Sequence, residues 1–212
     1  MGTQDDKRKP GRPTNPVGRP KLIELARGIF AQAGYAGASL SQIAAAAGIR
    51  KASLYHHFDT KEALYLSVLD SVVSELQKVF VAAVSGSGGF GDRLNEATGI
   101  AVSYLANNPD AAKILLREAV DGGPFVQAHG ADAIDMTLSV AAQFFQAGMA
   151  AGEFEQQDAH KLMLAIMGMC LFAFSGEDVS TRLLAREDAA QRTTAKRIEF
   201  LQTQICRMVV KH

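Results

Sequence analysis

A short run of residues near the start of the chain constrains its fold more than any other part. Ser39 and Gln42 have the spacing of a capping box, in which two side chains satisfy the backbone N–H groups at a helix start. The alanine-rich helix that they predict ends at Gly48, where a tight turn requires positive φ. A second short helix follows, with Leu54 and Phe58 four residues apart on its inner side. Helix, glycine turn and short polar-faced helix together indicate a helix-turn-helix.

The remaining chain is also predicted to be helical. Apolar residues recur at intervals of three and four between Leu22 and Ala33, and Gly34 is expected to end that helix. Asp59 and Glu62 have a second capping-box spacing, which predicts the start of a long helix there. No sustained alternation of apolar and polar residues predicts a strand. We predict helices at about 18–33, 41–47, 51–57, 60–84, 92–107, 110–120, 125–150, 158–175 and 180–210.

These patterns predict an all-α protein with three regions. Residues 1–16 contain prolines and charges without apolar periodicity and are expected to form a flexible basic arm with a Gly-Arg-Pro core. Residues 17–64 are predicted to form a three-helix helix-turn-helix domain, and residues 65–212 a larger helical domain.

The charges of the chain are unevenly distributed although their sum is zero. Residues 1–61 contain ten lysines and arginines against four acidic residues, and the remainder carries the opposite excess. A basic first third on an acidic body indicates that the first third binds a polyanion such as DNA. Cys170 and Cys206 lie in apolar helical patterns, so we expect no disulfide framework and a reducing, cytoplasmic location.

The segment around the helix-turn-helix resembles the signature of the TetR family of transcriptional regulators. The matching positions are Ser41-Gln42-Ile43-Ala44, Ala47-Gly48-Ile49, Ser53-Leu54-Tyr55-His56-His57-Phe58 and Lys61-Glu62-Ala63-Leu64. The chain departs from the family at Arg50, where a small hydroxyl residue usually opens the second short helix. The usual cap is therefore missing, and an additional cation takes its place.

The resemblance implies a ligand-responsive repressor that binds a palindromic operator as a homodimer and is released by a small apolar effector. Its second short helix would enter the major groove, where base edges display a full donor and acceptor code. Arg50 and Lys51 are expected to reach guanine edges or phosphates, and Lys61 a phosphate at the start of the next helix. The predicted DNA-binding residues are Arg12, Arg19, Ser39, Arg50, Lys51, Ser53, Tyr55, His56 and Lys61.

A Gly-Arg-Pro core occurs twice, once in the arm and once just after it. Pro10-Gly11-Arg12-Pro13 and Val17-Gly18-Arg19-Pro20 keep the backbone extended and slim, so that arginine can lie along a narrow groove. These cores are similar to AT-hooks, which place arginine in A·T-rich minor grooves. Both lack the arginine that usually precedes the glycine. The alternative is a solvated tail whose charge aids solubility, and Arg19 is the stronger candidate because it adjoins the folded domain.

The larger helical domain is expected to hold the effector and to form the dimer. Each Met or Phe there is individually more typical of a core, but the resemblance implies a ligand pocket inside this domain, lined by Leu105, Leu115, Met136, Phe144, Met163 and Met167. The spacing of Ile198, Leu201, Ile205 and Met208 predicts a seam that meets a partner helix. Packing of this seam within the protomer is the alternative.

Other classes of function are less well supported by the sequence. Gly86–Gly91 matches the pattern G-x-G-x-x-G, but no βαβ unit surrounds it. His56 and His57 point about 100° apart on a helix and cannot easily share a metal ion. We therefore expect no enzyme activity, cofactor or metal, and no secretory signal or membrane span. An architectural protein that binds A·T-rich minor grooves through its arm is the alternative function, and a helical enzyme is a third hypothesis.

Overall fold

The chain folds into α-helices throughout its described part. The computed structural model describes residues 17–175 and 193–211, without the side chains of residues 80, 83, 84 and 129–138. Nine helices lie in these ranges, and an isolated bridge joins Phe154 to Val210. The helices are α1 (Arg19–Gly37), α2 (Leu40–Ala46), α3 (Lys51–Tyr55), α4 (Lys61–Ser85), α5 (Phe90–Asn107), α6 (Pro109–Asp121), α7 (Pro124–Ala150), α8 (Ala159–Ser175) and α9 (Thr194–Val209).

The all-α class and the helix-turn-helix predicted from the sequence are confirmed. Several local signals act as expected: Ser39 and Gln42 form both bonds of a capping box, and Gly48 has φ of 66° in the turn before α3. Gly34, with φ of 71°, interrupts the helical backbone inside α1, so only a short turn follows it. The predicted residues 180–192 of the last helix lie outside the described part.

Two expectations about helix starts are wrong. The second Gly-Arg-Pro core is extended only at Gly18, because this residue caps α1 and Arg19 and Pro20 form the first positions of that helix. Proline is suited to that place, since the N–H that it lacks would have no partner there. The long helix α4 is capped by Thr60, whose Oγ1 accepts a hydrogen bond from Ala63 N at 3.0 Å, and not by Asp59.

The first core cluster joins the helix-turn-helix to the rest of the protein. It contains the inward residues of α1 to α3, continues along α4 as far as Val72, and includes Ala111 and Ile114 of α6. Each large side chain buried here, such as Phe30, contributes roughly 1.5–3 kcal/mol to the free energy of folding. The first three helices therefore rest on α4 and α6 as one packed unit.

Two further core clusters fill the larger helical domain. One joins α7 to the first half of α8 around Phe154, and the other lies among α5, α6, α8 and α9. No helix in the described ranges combines the length and apolar character that crossing a bilayer requires.

Candidate nucleic-acid interface

The helix α3 is anchored on its inner side by two buried apolar residues. Leu54 is fully buried and Phe58, just beyond the helix, is almost so. Ile49, in the turn before α3, packs against the same core, and its backbone N–H donates to Ala44 O at 3.0 Å. Because these contacts hold one side of α3, its other side is presented to solvent in a defined orientation.

The outer face of α3 carries side chains that have no hydrogen bond or ion pair within the described residues. We define it as Arg50, Lys51, Ser53, Tyr55 and His56, all of them exposed or half-buried. Lys51 lies 5.8 Å from the centroid of the Tyr55 ring, which leaves its ammonium hydrogens available. This face therefore displays donors and positive charge that the fold itself does not use.

Arg50 occupies the cap position of α3 without acting as a side-chain cap. Its backbone is extended, with φ of −73° and ψ of 147°, and its side chain makes no capping hydrogen bond. The absence of the usual cap, expected from the sequence, is confirmed. Its guanidinium remains exposed at the edge of the outer face of α3.

Arg19 lies back against the protein. Its Nη2 donates to Ser67 Oγ at 3.1 Å, and its guanidinium carbon is 4.5 Å from the centroid of the Phe58 ring. The arginine thus links the start of α1 to α4, a contact that competes with any role in a DNA groove. Arg12, the other arginine predicted to enter the minor groove, lies outside the described residues.

Lys61 is held by backbone carbonyls at the end of α1. Its Nζ donates to Tyr35 O at 2.7 Å and Ala38 O at 3.1 Å, with Ala36 O at 3.5 Å. It also lies 4.4 Å from the centroid of the Tyr35 ring. Carbonyls at a helix C-terminus lack helical partners, and a lysine is one way to satisfy them. These contacts compete with the phosphate contact predicted for Lys61.

A buried carboxylate that the sequence reading missed connects three helices. Tyr65 Oη on α4 donates to Glu118 Oε2 on α6 at 2.7 Å, and Val126 N at the start of α7 donates to Glu118 Oε1 at 2.8 Å. Glu118 is only 4% exposed. Burial, followed by the hydrogen bond to Glu118, raises the pKa of Tyr65 well above its usual range. We call Tyr65, Glu118 and Val126 the α4 junction.

Polar contacts also join α1 to the start and the end of α6. Arg27 Nη2 is 3.5 Å from Asn108 Oδ1, and Arg117 Nη2 donates to Gln32 O at 3.1 Å. We call these two contacts the α1–α6 seam. Together with the α4 junction, the seam attaches the first three helices to the larger helical domain.

The residues predicted to line an effector pocket are not brought together where the structure describes their side chains. Leu105 belongs to the cluster among α5, α6, α8 and α9, and Leu115 packs against that cluster. Phe144 and Met163 belong instead to the cluster around Phe154. Met167 is 38% exposed, and the side chain of Met136 lies outside the described part. Helical spacing could not say which cluster each of these positions faces.

The seam predicted on α9 is turned inward, which corrects the prediction for two of its residues. Leu201 and Ile205 are 3% and 1% exposed and pack within the protomer, with Ile198 partly buried beside them. They are unavailable to a partner, so packing within the protomer, the alternative kept open above, applies to them. Met208 is 39% exposed, and Phe200, next to Leu201 in the chain, is 60% exposed.

A helix-turn-helix with a free polar outer face, carried on a helical body, defines the class of DNA-binding transcriptional regulators. Residues 22–68 match the model of the bacterial regulatory proteins of the tetR family, and residues 92–208 match the tetracyclin repressor-like C-terminal domain. The chain belongs to the TetR family.

Individual relatives resemble the chain either locally in sequence or throughout in fold. The chain is 40% identical over 60 residues to the HTH-type transcriptional repressor DhaR of Mycobacterium sp. (strain GP1). The matched stretch covers 28% of this chain and 30% of DhaR. The chain therefore matches less than a third of that relative's length.

Among solved structures, a regulatory protein in the tetR family from Rhodococcus RHA1 is similar with a TM-score of 0.72 and 22% identity, covering 92% and 97% of the two chains. AibR, in complex with isovaleryl coenzyme A and operator DNA, is similar with a TM-score of 0.68 and 20% identity, covering 90% and 96%. At these identities the likeness is one of fold.

Proposed function

We propose that the protein is a transcriptional repressor that binds a palindromic operator as a homodimer through the outer face of α3. The observation that carries the proposal is the contrast between the two sides of that helix. Leu54 and Phe58 fix its inner side in the core, while the outer side chains make no hydrogen bond or ion pair within the described residues. Local similarity to DhaR, which is named a repressor, supports repression of transcription.

In this proposal α3 enters the major groove and its two cations differ in position. Arg50 at the edge and Lys51 in the first turn reach guanine edges or phosphates, since arginine and lysine suit the N7 and O6 acceptors of guanine. Ser53, Tyr55 and His56 donate to bases or to the backbone, and Ser39 contributes from the start of α2. Arg12, Arg19 and Lys61 remain secondary candidates for phosphate or minor-groove contacts.

The dimer face is proposed to lie on the exposed sides of α8 and α9. Large apolar residues that are open to solvent there in the isolated protomer include Leu164, Met167, Phe200 and Met208. The two helices are in contact, and such a face is what a four-helix interface between protomers would cover. A two-fold dimer places two α3 helices about 34 Å apart, one turn of DNA.

Release of the operator is proposed to follow binding of a small apolar effector in the larger helical domain. The first three helices, α1 to α3, form the DNA-reading unit. The helix α4 extends from this unit into the larger helical domain, so a shift of α4 changes the spacing of the two α3 helices. An effector lowers operator affinity only by its preference for the shifted state, typically about 1–3 kcal/mol. The structure of AibR with isovaleryl coenzyme A and operator DNA is a precedent of the same fold.

Selection of bound sites from random duplex DNA tests the proposal. The full chain, a chain lacking residues 1–16 and the Arg50→Ala variant are compared under one salt concentration. We expect the full chain and the chain lacking residues 1–16 to select the same palindromic consensus. The Arg50→Ala variant should select a relaxed one. Binding without a palindrome that is lost with residues 1–16 would replace the proposal with the architectural alternative.

The dimer face needs its own measurement. Phe200→Glu and Leu164→Glu are expected to shift the protein toward monomers in sedimentation, because each places a charge in an apolar interface. Glu199→Gln, at an exposed neighbouring position on α9, is the control. Unchanged sedimentation of both apolar variants would place the dimer face elsewhere.

A further inference from the structure

A groove between the DNA-reading unit and the larger helical domain carries an inference beyond the proposed function. It holds a space of about 350 Å³, open to solvent, where α1, α6 and α8 meet. A cavity of this size is within the range of small-molecule sites. Its walls include Gln32 of α1, Lys113, Leu116 and Arg117 of α6, and Phe172 and Ser175 of α8.

The groove combines positive charge with apolar surface. Lys113 is half-buried and has no ion pair or hydrogen bond within the described residues. Arg117 lies one helical turn away on the same side of α6, and no acidic side chain is among the described residues that line the groove. Leu116 and the Phe172 ring, which is 53% exposed, supply the apolar wall.

Polar capacity remains unused at the α8 side of the groove. Ser175 lines it, and the Oγ of that residue is buried without a hydrogen-bond partner in the part of the chain that the structure describes. A buried hydroxyl without a hydrogen-bond partner is unfavourable in proteins. Two cations beside an apolar wall are together the features that recognise an anion attached to an apolar body.

We infer that the groove between α1, α6 and α8 binds a small amphipathic carboxylate, with its carboxylate between Lys113 and Arg117 and its apolar part against Leu116 and Phe172. The site is separate from the interior of the larger helical domain. Nothing in the binding itself depends on the proposed function.

Occupation of the groove has a direct consequence for the α1–α6 seam. Arg117 donates to Gln32 O at 3.1 Å, and a carboxylate beside Arg117 competes with that carbonyl for the same donor because charge-assisted hydrogen bonds are the stronger ones. Loss of the bond loosens α1 from α6 at the end nearest α2. Ligand binding in the groove therefore opposes operator binding, and this second part rests on the proposed function.

Calorimetric titration of the full chain with octanoate tests the binding. Octanamide, which has the same length without the charge, is the ligand control. We expect octanoate to bind at least about tenfold more tightly than octanamide, and Lys113→Gln to weaken octanoate by about tenfold. Lys161→Gln removes an exposed cation at the other end of α8 and is expected to leave octanoate affinity unchanged.

The outcomes separate the two parts of the inference. Absence of octanoate binding, equal binding of octanamide, or equal binding by the Lys113→Gln variant would overturn the site. Lys113-dependent binding that leaves operator affinity unchanged would overturn the coupling through the seam. If the wild-type chain binds no operator, the proposed function fails while the titration still decides whether the site exists.

Discussion

The outer face of α3 and the contacts that attach the first three helices to the larger domain differ in how they use polar side chains. Arg50, the cation at the edge of α3, has no partner among the described residues, whereas Lys61 donates to carbonyls of α1 and Tyr65 to a buried carboxylate. Polar side chains close in sequence thus divide into a set left for a partner and a set used by the fold.

This division has a physical reason that applies beyond these residues. A side chain whose hydrogen bonds are made within the protein must give them up before it binds DNA, and the exchange gains little. A side chain left exposed on a rigid helix keeps its full capacity for a partner. Substitutions on the outer face of α3 should therefore change operator affinity and leave stability alone, and substitutions at the attachment should do the reverse.

The largest expected effect on stability comes from the α4 junction. Glu118→Ala leaves both Tyr65 Oη and Val126 N without their buried acceptor, so we expect the free energy of unfolding to fall by about 3 kcal/mol. Urea denaturation measures the change, with Glu155→Ala at an exposed position as the control. A loss no larger than that of the control would show that the junction is not a supporting contact.

The next effect concerns DNA and not stability. Arg50→Ala removes a guanidinium that the fold does not use, so operator affinity should fall by about 1–3 kcal/mol while the unfolding free energy changes by less than about 0.5 kcal/mol. Fluorescence anisotropy with the selected operator measures the affinity. Lys78→Ala removes the same charge from an exposed position on α4 and is the control. Equal losses of affinity in both variants would show that Arg50 contributes only through the overall charge of the protein.

Lys61 provides the reverse case and a direct test of the phosphate contact predicted from the sequence. Lys61→Met keeps the apolar stem and removes the donor to the α1 carbonyls, so unfolding should become easier by about 1–2 kcal/mol. If Lys61 stays engaged with α1, the salt dependence of operator binding is unchanged. A decrease of about 0.9 in the slope of log affinity against log salt would instead assign it a phosphate.

Local signals in the sequence were sufficient for much of the DNA-reading unit. The capping box of Ser39 and Gln42, the positive φ of Gly48 and the inward side of α3 each depend on residues close together in the chain. Such signals carry their own geometry, because a cap or a left-handed glycine restricts the backbone wherever the segment lies.

Features that depend on distant parts of the chain could not be predicted in the same way. The partner of Tyr65 is 53 residues away, and the carbonyls that hold Lys61 belong to another helix. On α9 the spacing of apolar residues was recognised, but Leu201 and Ile205 face α5 and α8 in the same protomer. A periodic pattern identifies an apolar side without stating whether the surface that covers it comes from the same chain.

The smallest expected effect concerns the turn between α2 and α3. Gly48 has φ of 66°, and a β-carbon there would meet nothing within 4 Å, so the cost of Gly48→Ala is conformational and not steric crowding by neighbours. An L-residue in this region is disfavoured by roughly 1–2 kcal/mol, and we expect a loss of stability of about 1 kcal/mol. Gly37→Ala, in the same unit but without positive φ, should be neutral or slightly stabilising because alanine favours helices.

Equal effects of the two substitutions in thermal or urea unfolding would mean that the turn relaxes when the β-carbon is added. The orientation of the outer face of α3 would then depend on the inward anchors Leu54 and Phe58 and not on the glycine.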